Sequence, residues 1–515
     1  MFKSLTFSSS AAVLVAAACL TSVPARAATC ESLSSLALPD TTITSAQTVA
    51  AGAFNPPAPA GRGGRGSGPS YKDLAAFCRV LATVRPTGDS DIKVEVWLPI
   101  DNWNGKFEGT ANGGWAGNIG EAALAAALRR GYASGATDTG HDGGSASFAL
   151  GHPEKLLDFQ YRAIHEMSAK GKAITTAFYG NDALKYSYFV GCSTGGKQAL
   201  KEAQRFPNDY DAIVAGDPAN YSTHMTIQQV GIALAVHKDD ASYIPAEKYP
   251  AIHKAALEQC DALDGVKDGV IENPRQCKFD PKTIECKGED SASCLTAPQV
   301  EAARKIYAAA KNPRTGQVIF PGLEPGSEMG WAGLAGKDAF GYAMDWLRYG
   351  VFKDPKWDYK TLNFDSDVTA SEKAGGDAMD ANDPDLRPFL APGGKLLLYH
   401  GWADPLIVPG NTVNYYEAAL AKMDSVKNAR DSVRLFMVPG MLHCRGGDGP
   451  DDFDTLAAIE QWREKGKAPD QLVASHMTNG AVDRTRPLCP YPQVATYKGS
   501  GSTDQAENFS CALPR

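Results

Sequence analysis

Gly191-Cys192-Ser193-Thr194-Gly195 sets a serine between two glycines, with the apolar run "YSYFVG" before it and the helix-forming stretch "GGKQALKEAQRFP" after it. A serine on a sharp strand-to-helix turn exposes its hydroxyl at the end of a strand. Glycines on both sides are needed because the backbone there is strained and neighbouring side chains would clash. The chemistry open to such a serine is nucleophilic acyl transfer, given a base and an acid within reach.

Two later loops offer the partners in the order nucleophile, acid, histidine. "KLLLYHGWADPLIV" places Asp404 after a buried-type run, and "SVRLFMVPGMLHCRGG" places His443 after the next one. His443 Nε2 would take the Ser193 proton, and Asp404 would orient and stabilise the imidazolium. His400, at a strand end, and His141, in "TDTGHDGG", are the rival histidines; only His443 combines the order with the loop. An oxyanion needs two aimed N–H donors. The amide of Thr194 is one. The loop "TANGGWAG" supplies the other, with Gly114 preferred and Gly113 second.

Ser193 is preceded by Cys192, and His443 is followed by Cys444. The compartment decides what those thiols do. Lys3, the apolar run 11–20 and Ala25-Arg26-Ala27 read as a secretory signal over residues 1–27, cut after Ala27, and too short to span a membrane. Its loss removes Cys19 and leaves ten of the eleven cysteines, an even number suited to disulfides in an exported protein. A Cys192–Cys444 bridge would tie the serine turn to the histidine loop. It closes a long loop, for which the chain-entropy model gives about 4–5 kcal/mol.

These residues need a scaffold. Strand-like runs at 91–100, at 105–117 where one passes into a glycine-rich loop, from Tyr132, and at 185–191, 210–218, 393–408 and 432–440 alternate with helix-like stretches. That rhythm implies βαβ units, a mostly parallel sheet and helices on both faces. It fails between 219 and 390, a stretch with four cysteines, acidic loops and several aromatics. The expected organisation is a catalytic α/β domain from 28–218 and 391–515, interrupted by a lid domain at 219–390. A net charge of −8 with dispersed signs gives nucleic acid no footprint, and "GRGGRGSG" at 61–68 reads as a surface loop. No second long apolar run calls for a membrane, and a soluble mature protein is expected.

"GCSTGG", "YHGWAD" and the "HC" pair resemble the tannase and feruloyl esterase family of α/β-hydrolases, which also contains mono(2-hydroxyethyl) terephthalate hydrolase. The resemblance spans nearly the whole mature chain. It implies the α/β-hydrolase fold, Ser193, Asp404 and His443 as triad, Cys192–Cys444 as an active-site disulfide, and the pairs Cys30–Cys78, Cys260–Cys277, Cys286–Cys294 and Cys489–Cys511. It implies a secreted or periplasmic serine esterase for small aromatic esters, galloyl or feruloyl, without an organic cofactor. Thr194 is tannase-like, where the terephthalate monoester hydrolase has a glutamate, so terephthalate monoesters stand as the alternative substrate class. A peptidase, or a non-catalytic binding module of the same fold, are the other readings.

In "CDALDGVKDGVIENPRQC", three aspartates alternate with glycines. Hard oxygen ligands on tight turns suit Ca²⁺, although Asp-Gly pairs also serve ordinary turns. The resemblance implies a structural calcium held by Asp261, Asp264 and Asp268 with the Val266 and Val270 carbonyls. The lid aromatics Trp331, Phe340, Tyr342, Trp346, Tyr349 and Phe352 are available to clamp a ring or to form the lid's own core.

Overall fold

The computed structural model describes Met1 and residues 29–56, 70–423 and 429–514. The expected signal segment, apart from Met1, and the whole 61–68 loop lie outside the described residues.

Nine strands form the central sheet: β1 (Thr41–Val49), β2 (Phe77–Val84), β3 (Ile92–Pro99), β4 (Lys106–Thr110), β5 (Ala133–Thr137), β6 (Tyr186–Cys192), β7 (Ala212–Gly216), β8 (Lys395–Gly401) and β9 (Val433–Val438). Their spatial order is β1-β2-β3-β5-β4-β6-β7-β8-β9. The first three strands meet their neighbours antiparallel, and every pairing from β5 to β9 is parallel. The parallel strands are covered on both faces, which is why "AIVAG" of β7 and "ASGAT" of β5 are buried throughout while the edge strand β1 alternates.

One face carries α2 (Ala163–Tyr179), α3 (Thr194–Arg205) and, further on, the helix Pro409–Lys422; the other carries α1 (Glu121–Arg129) and the helix Thr455–Lys465. Helix α3 is buried from Thr194 to Ala203. A helix so enclosed cannot shift without moving the sheet, and it begins at Ser193.

Between β7 and β8 the inserted stretch builds a second core around Trp331 and Trp346, into which Trp115 and Phe159 of the sheet unit are packed. Its longer helices are α4 (Ser222–Val236), α5 (Tyr249–Cys260), α6 (Ala297–Tyr307) and α7 (Ser366–Met379). With those counted, Pro409–Lys422 is α8 and Thr455–Lys465 is α9.

The end of the chain departs from the expected sheet rhythm. Two antiparallel hairpins, Leu472–Thr478 with Ala481–Leu488 and Val494–Tyr497 with Phe509–Ala512, follow α9. They pack Cys489, Ala495 and Phe509 on Val266 of the lid's acidic loop. Arg486 reaches Asp268, and Glu272 accepts the Ala495 amide at 2.7 Å.

Candidate active site

The glycine requirement of the serine turn has a direct structural cause. A Cβ on Gly191 would collide with the Gly195 carbonyl, and one on Gly195 would lie 2.6 Å from the Ala111 side chain. Ser193 sits between β6 and α3 at φ +66°, a left-handed conformation that a non-glycine residue adopts at a cost. Bonds hold it there: its amide donates to Gly216 at 3.0 Å, and its carbonyl accepts from Lys197 at 3.1 Å and Ala219 at 3.2 Å.

His443 Nε2 lies 2.9 Å from Ser193 Oγ, and His443 Nδ1 lies 2.7 Å from Asp404 Oδ2. Asp404 is fully buried, and its Oδ1 accepts the amides of Leu406 at 2.8 Å and Ile407 at 3.0 Å. Burial opposes its ionisation, but the His443 and His400 imidazoles outweigh that and hold the carboxyl well below its usual range. Burial likewise disfavours a charged His443, and the Asp404 charge overrides it and raises the imidazole. A carboxylate that stabilises the imidazolium in this way is what a general base needs as it takes a proton.

The two rival histidines have other work. His141 is buried, with Nε2 2.9 Å from the Trp115 carbonyl and its ring stacked on Phe148. His400 is wholly buried behind the acid: Nε2 faces the Ile407 carbonyl at 2.9 Å and Asp404 Oδ2 at 3.2 Å, and Nδ1 faces Thr412 Oγ1 at 2.8 Å. A carbonyl only accepts, so Nε2 carries the hydrogen shared with Asp404. A second buried carboxyl, Asp217, stands 3.6 Å from His400 Nε2 and accepts the Gly401 amide at 3.0 Å. Burial raises it to about 6. Nothing in "AGDP" marks Asp217 out, since the run reads as the end of a strand, and His400 stands as a rival histidine until the fold sets it behind the acid.

Gly113 and Gly114 line the same cavity as Ser193 and His443, with Gly114 at φ +54°. Gln198 of α3 accepts the Asn112 amide at 3.0 Å, and Asn112 Nδ2 donates to Thr137 at 2.9 Å. The glycine loop is therefore pinned to the helix that begins at the serine. Thr194 opens that helix, where an amide has no intrahelical acceptor and is free for an anion.

Cys192 and Cys444 are bonded, across 252 residues of chain. The remaining eight cysteines form Cys30–Cys78, Cys260–Cys277, Cys286–Cys294 and Cys489–Cys511.

The cavity measures about 690 Å³. Of the lid aromatics, Phe340 and Tyr342 line it. Trp331 and Trp346 are fully buried in the lid core, and Tyr349 and Phe352 pack against that core. Trp115, from the glycine loop, donates its indole N–H to the Tyr342 carbonyl at 3.0 Å and stacks on the same residue. The inserted stretch and the glycine loop thus meet beside the cavity.

In the acidic loop, Asp261 accepts the amides of Asp268 at 3.1 Å and Gly269 at 2.9 Å, Asp264 that of Val266 at 2.9 Å, and Asp268 that of Val270 at 3.2 Å. Arg486 pairs with Asp268. Burial, reinforced by the Asp268 and Asp261 charges, raises Asp264 to about 6. These are the oxygen donors a hard divalent cation takes, but as placed the three carboxylates do not converge within 4.8 Å of one another, and Arg486 occupies Asp268.

Residues 78–512 match the tannase and feruloyl esterase family. The chain is 40% identical to an uncharacterised esterase of Xanthomonas campestris pv. campestris, covering 97% of this chain and 93% of that one. It is 35% identical to a probable feruloyl esterase B-1 of Aspergillus flavus, over 84% of this chain and 86% of that one. The crystal structure of feruloyl esterase B from Aspergillus oryzae superposes with a TM-score of 0.87 at 31% identity, covering 94% of this chain and 99% of that one.

Proposed function

The chain belongs to the tannase and feruloyl esterase family, and on that premise we propose that it is an exported serine esterase hydrolysing aromatic carboxylic esters of plant phenolics. The observation that carries the reading is the hydrogen-bonded chain Ser193–His443–Asp404 opening into the cavity.

In this reading Ser193 Oγ attacks the ester carbonyl as His443 Nε2 takes its proton. The Thr194 and Gly114 amides receive the oxyanion, and Asp404 stabilises the imidazolium. His443 returns the proton to the leaving alcohol, and an acyl-enzyme remains. A water, deprotonated by the same imidazole, releases the acid and restores the serine. Five disulfides support an oxidising compartment and hence export.

A structural calcium belongs to the same proposal. The Asp261, Asp264 and Asp268 carboxylates with the Val266 and Val270 carbonyls would hold it. It would supply charge neutralisation that braces the lid loop against the C-terminal hairpins.

Labelling with a fluorophosphonate tests the class, and kcat/KM on methyl gallate, methyl ferulate and a terephthalate monoester tests the substrate. Covalent label on Ser193 with turnover of the gallate or ferulate is expected. A protein that takes no label, or that prefers the terephthalate monoester, overturns the corresponding half of the proposal.

A further inference from the structure

Helix α3 begins at Ser193, and its last turn carries Glu202, roughly 13 Å from the serine along the axis at about 1.5 Å per residue. Glu202 is wholly buried, and neither of its carboxyl oxygens has a hydrogen-bond partner. His165 of α2 and Asp209, in the loop that leads into β7, face it. One ligand atom from each of the three residues lies within 4.8 Å of the other two. His165 Nδ1 and Asp209 Oδ2 share a hydrogen at 2.6 Å, and the imidazole stacks on Phe206.

The one cation at hand is committed to Asp209. Lys172 Nζ donates to the Asp209 carbonyl and lies 3.4 Å from Oδ1. Burial opposes the ionisation of Asp209, but the His165 hydrogen bond and the Lys172 charge outweigh it and hold the carboxyl below its usual value. Burial, reinforced by the Asp209 charge, pushes Glu202 well above the carboxylate range. A buried carboxyl with two unpartnered oxygens costs folding free energy unless a ligand completes it. The carbonyl end of α3 adds negative potential at the same place, which suits a cation.

We propose that His165, Glu202 and Asp209 form a binding site for a divalent transition-metal ion, Zn²⁺ being the ion that imidazole and carboxylate donors together favour. Binding releases the Glu202 proton to solvent. The hydrogen of a neutral His165 moves from Nδ1 to Nε2 and leaves the Nδ1 lone pair for the metal. Metal–ligand distances of about 2.0–2.2 Å set neighbouring ligands roughly 3–3.5 Å apart, so His165 Nδ1 and Asp209 Oδ2 part by about half an ångström. The His165 side chain is 33% exposed and has the freedom to do so, and water reaches the fourth position past it. The ion is structural: it joins α2, α3 and the entry to β7 at the end of α3 remote from the reacting serine. None of the three residues lines the catalytic cavity, so the inference is independent of the ester reading.

The test titrates zinc-free protein with ZnCl₂ by calorimetry, calcium being left in the buffer, and melts it with and without the salt. Wild type should take up about one Zn²⁺ per chain at this site and melt higher with it. Glu202→Gln keeps the shape of the protonated acid but offers no anionic ligand. His165→Phe keeps the stack on Phe206 but offers no nitrogen. Each should lose about a hundredfold or more in zinc affinity, and with it the zinc-dependent rise in Tm. His443→Ala separates this site from the triad, where Asp404 and His443 are also close enough to share an ion; uptake and the rise in Tm should persist in it. Zinc binding that survives Glu202→Gln and His165→Phe, or that vanishes in His443→Ala, would place the ion elsewhere and overturn the proposal. Wild type that takes up no zinc and melts alike with and without it would overturn it too, leaving Glu202 and Asp209 to share a proton. If Glu202→Gln does not fold, His165→Phe, at the partly exposed ligand, decides between these outcomes.

Discussion

His253 on lid helix α5 lies with Nε2 3.0 Å from the Asp448 carboxylate, five residues beyond His443. Its Nδ1 lies 2.8 Å from the fully buried Glu328. Burial disfavours the charged ring, yet the two carboxylates override it and raise His253 to about 9. The imidazolium therefore latches the lid to the histidine loop.

That latch sets a pH dependence. A folded value above the unfolded one, about 6.5, means that the contribution is complete below about 6.5 and is lost as pH rises through about 9. With Asp448 half exposed, its worth is on the order of 2 kcal/mol. Melting temperatures of wild type and His253→Gln should differ at pH 6–7 and converge above pH 10. Parallel curves over that range would remove the charge from the account.

Ser193→Ala should fold and lose several orders of magnitude in esterase rate, as triad serines do. Purified variant with more than about a tenth of wild-type kcat would show that another group is the nucleophile.

Cys192→Ala/Cys444→Ala should keep its fold on four remaining bridges and lose much of its activity. Serine and histidine loops that drift by about 1 Å can lose on the order of a hundredfold in rate. A fully active double variant would reduce the bridge to a packing element. Each single variant should do no better, since it leaves a thiol beside the site.

Metal analysis of protein purified without added calcium should find about one Ca²⁺ per chain, as expected of a single oxygen cage. A chelator should lower the melting temperature and loosen the lid loop and C-terminal hairpins before it affects the serine chemistry. No bound metal, with melting indifferent to chelator, would dispose of the calcium.

How far the sequence carried the reading follows from how locally each feature is encoded. Ser193, Asp404 and His443 each follow a buried strand in a fixed order, and a strand end is legible in a few residues. The Cys192–Cys444 bond was legible because both thiols adjoin those residues. Asp217 was not, because what gives it a place beside the site is His400 and Gly401, brought to it only by the pairing of β7 with β8. The lid hides its assignments for a related reason. Trp331 and Trp346 lie in its core while Phe340 and Tyr342 face the cavity, and no period separates the two pairs. The C-terminal hairpins have strand patterns too weak to announce, against Val266, a partner more than 200 residues away.

The order of the cysteines along the chain bears on how this protein is made. Four bridges join cysteines with no other cysteine between them, and each can close as soon as its second thiol emerges. Cys192 is different: Cys260, Cys277, Cys286 and Cys294 all follow it before Cys444 appears. Oxidation in order of emergence would join Cys192 to Cys260, Cys277 to Cys286 and Cys294 to Cys444, and of the later pairs only Cys489–Cys511 would still form correctly. Correct assembly therefore requires Cys192 to stay reduced until Cys444 has emerged, or an exchange step that runs over seconds to hours without catalysis. The cysteine beside Ser193 is thus the point at which biosynthesis is most exposed to error. Yield of active enzyme should respond to disulfide isomerase more strongly in wild type than in Cys192→Ala/Cys444→Ala, each scored by correctly paired chains on peptide mapping.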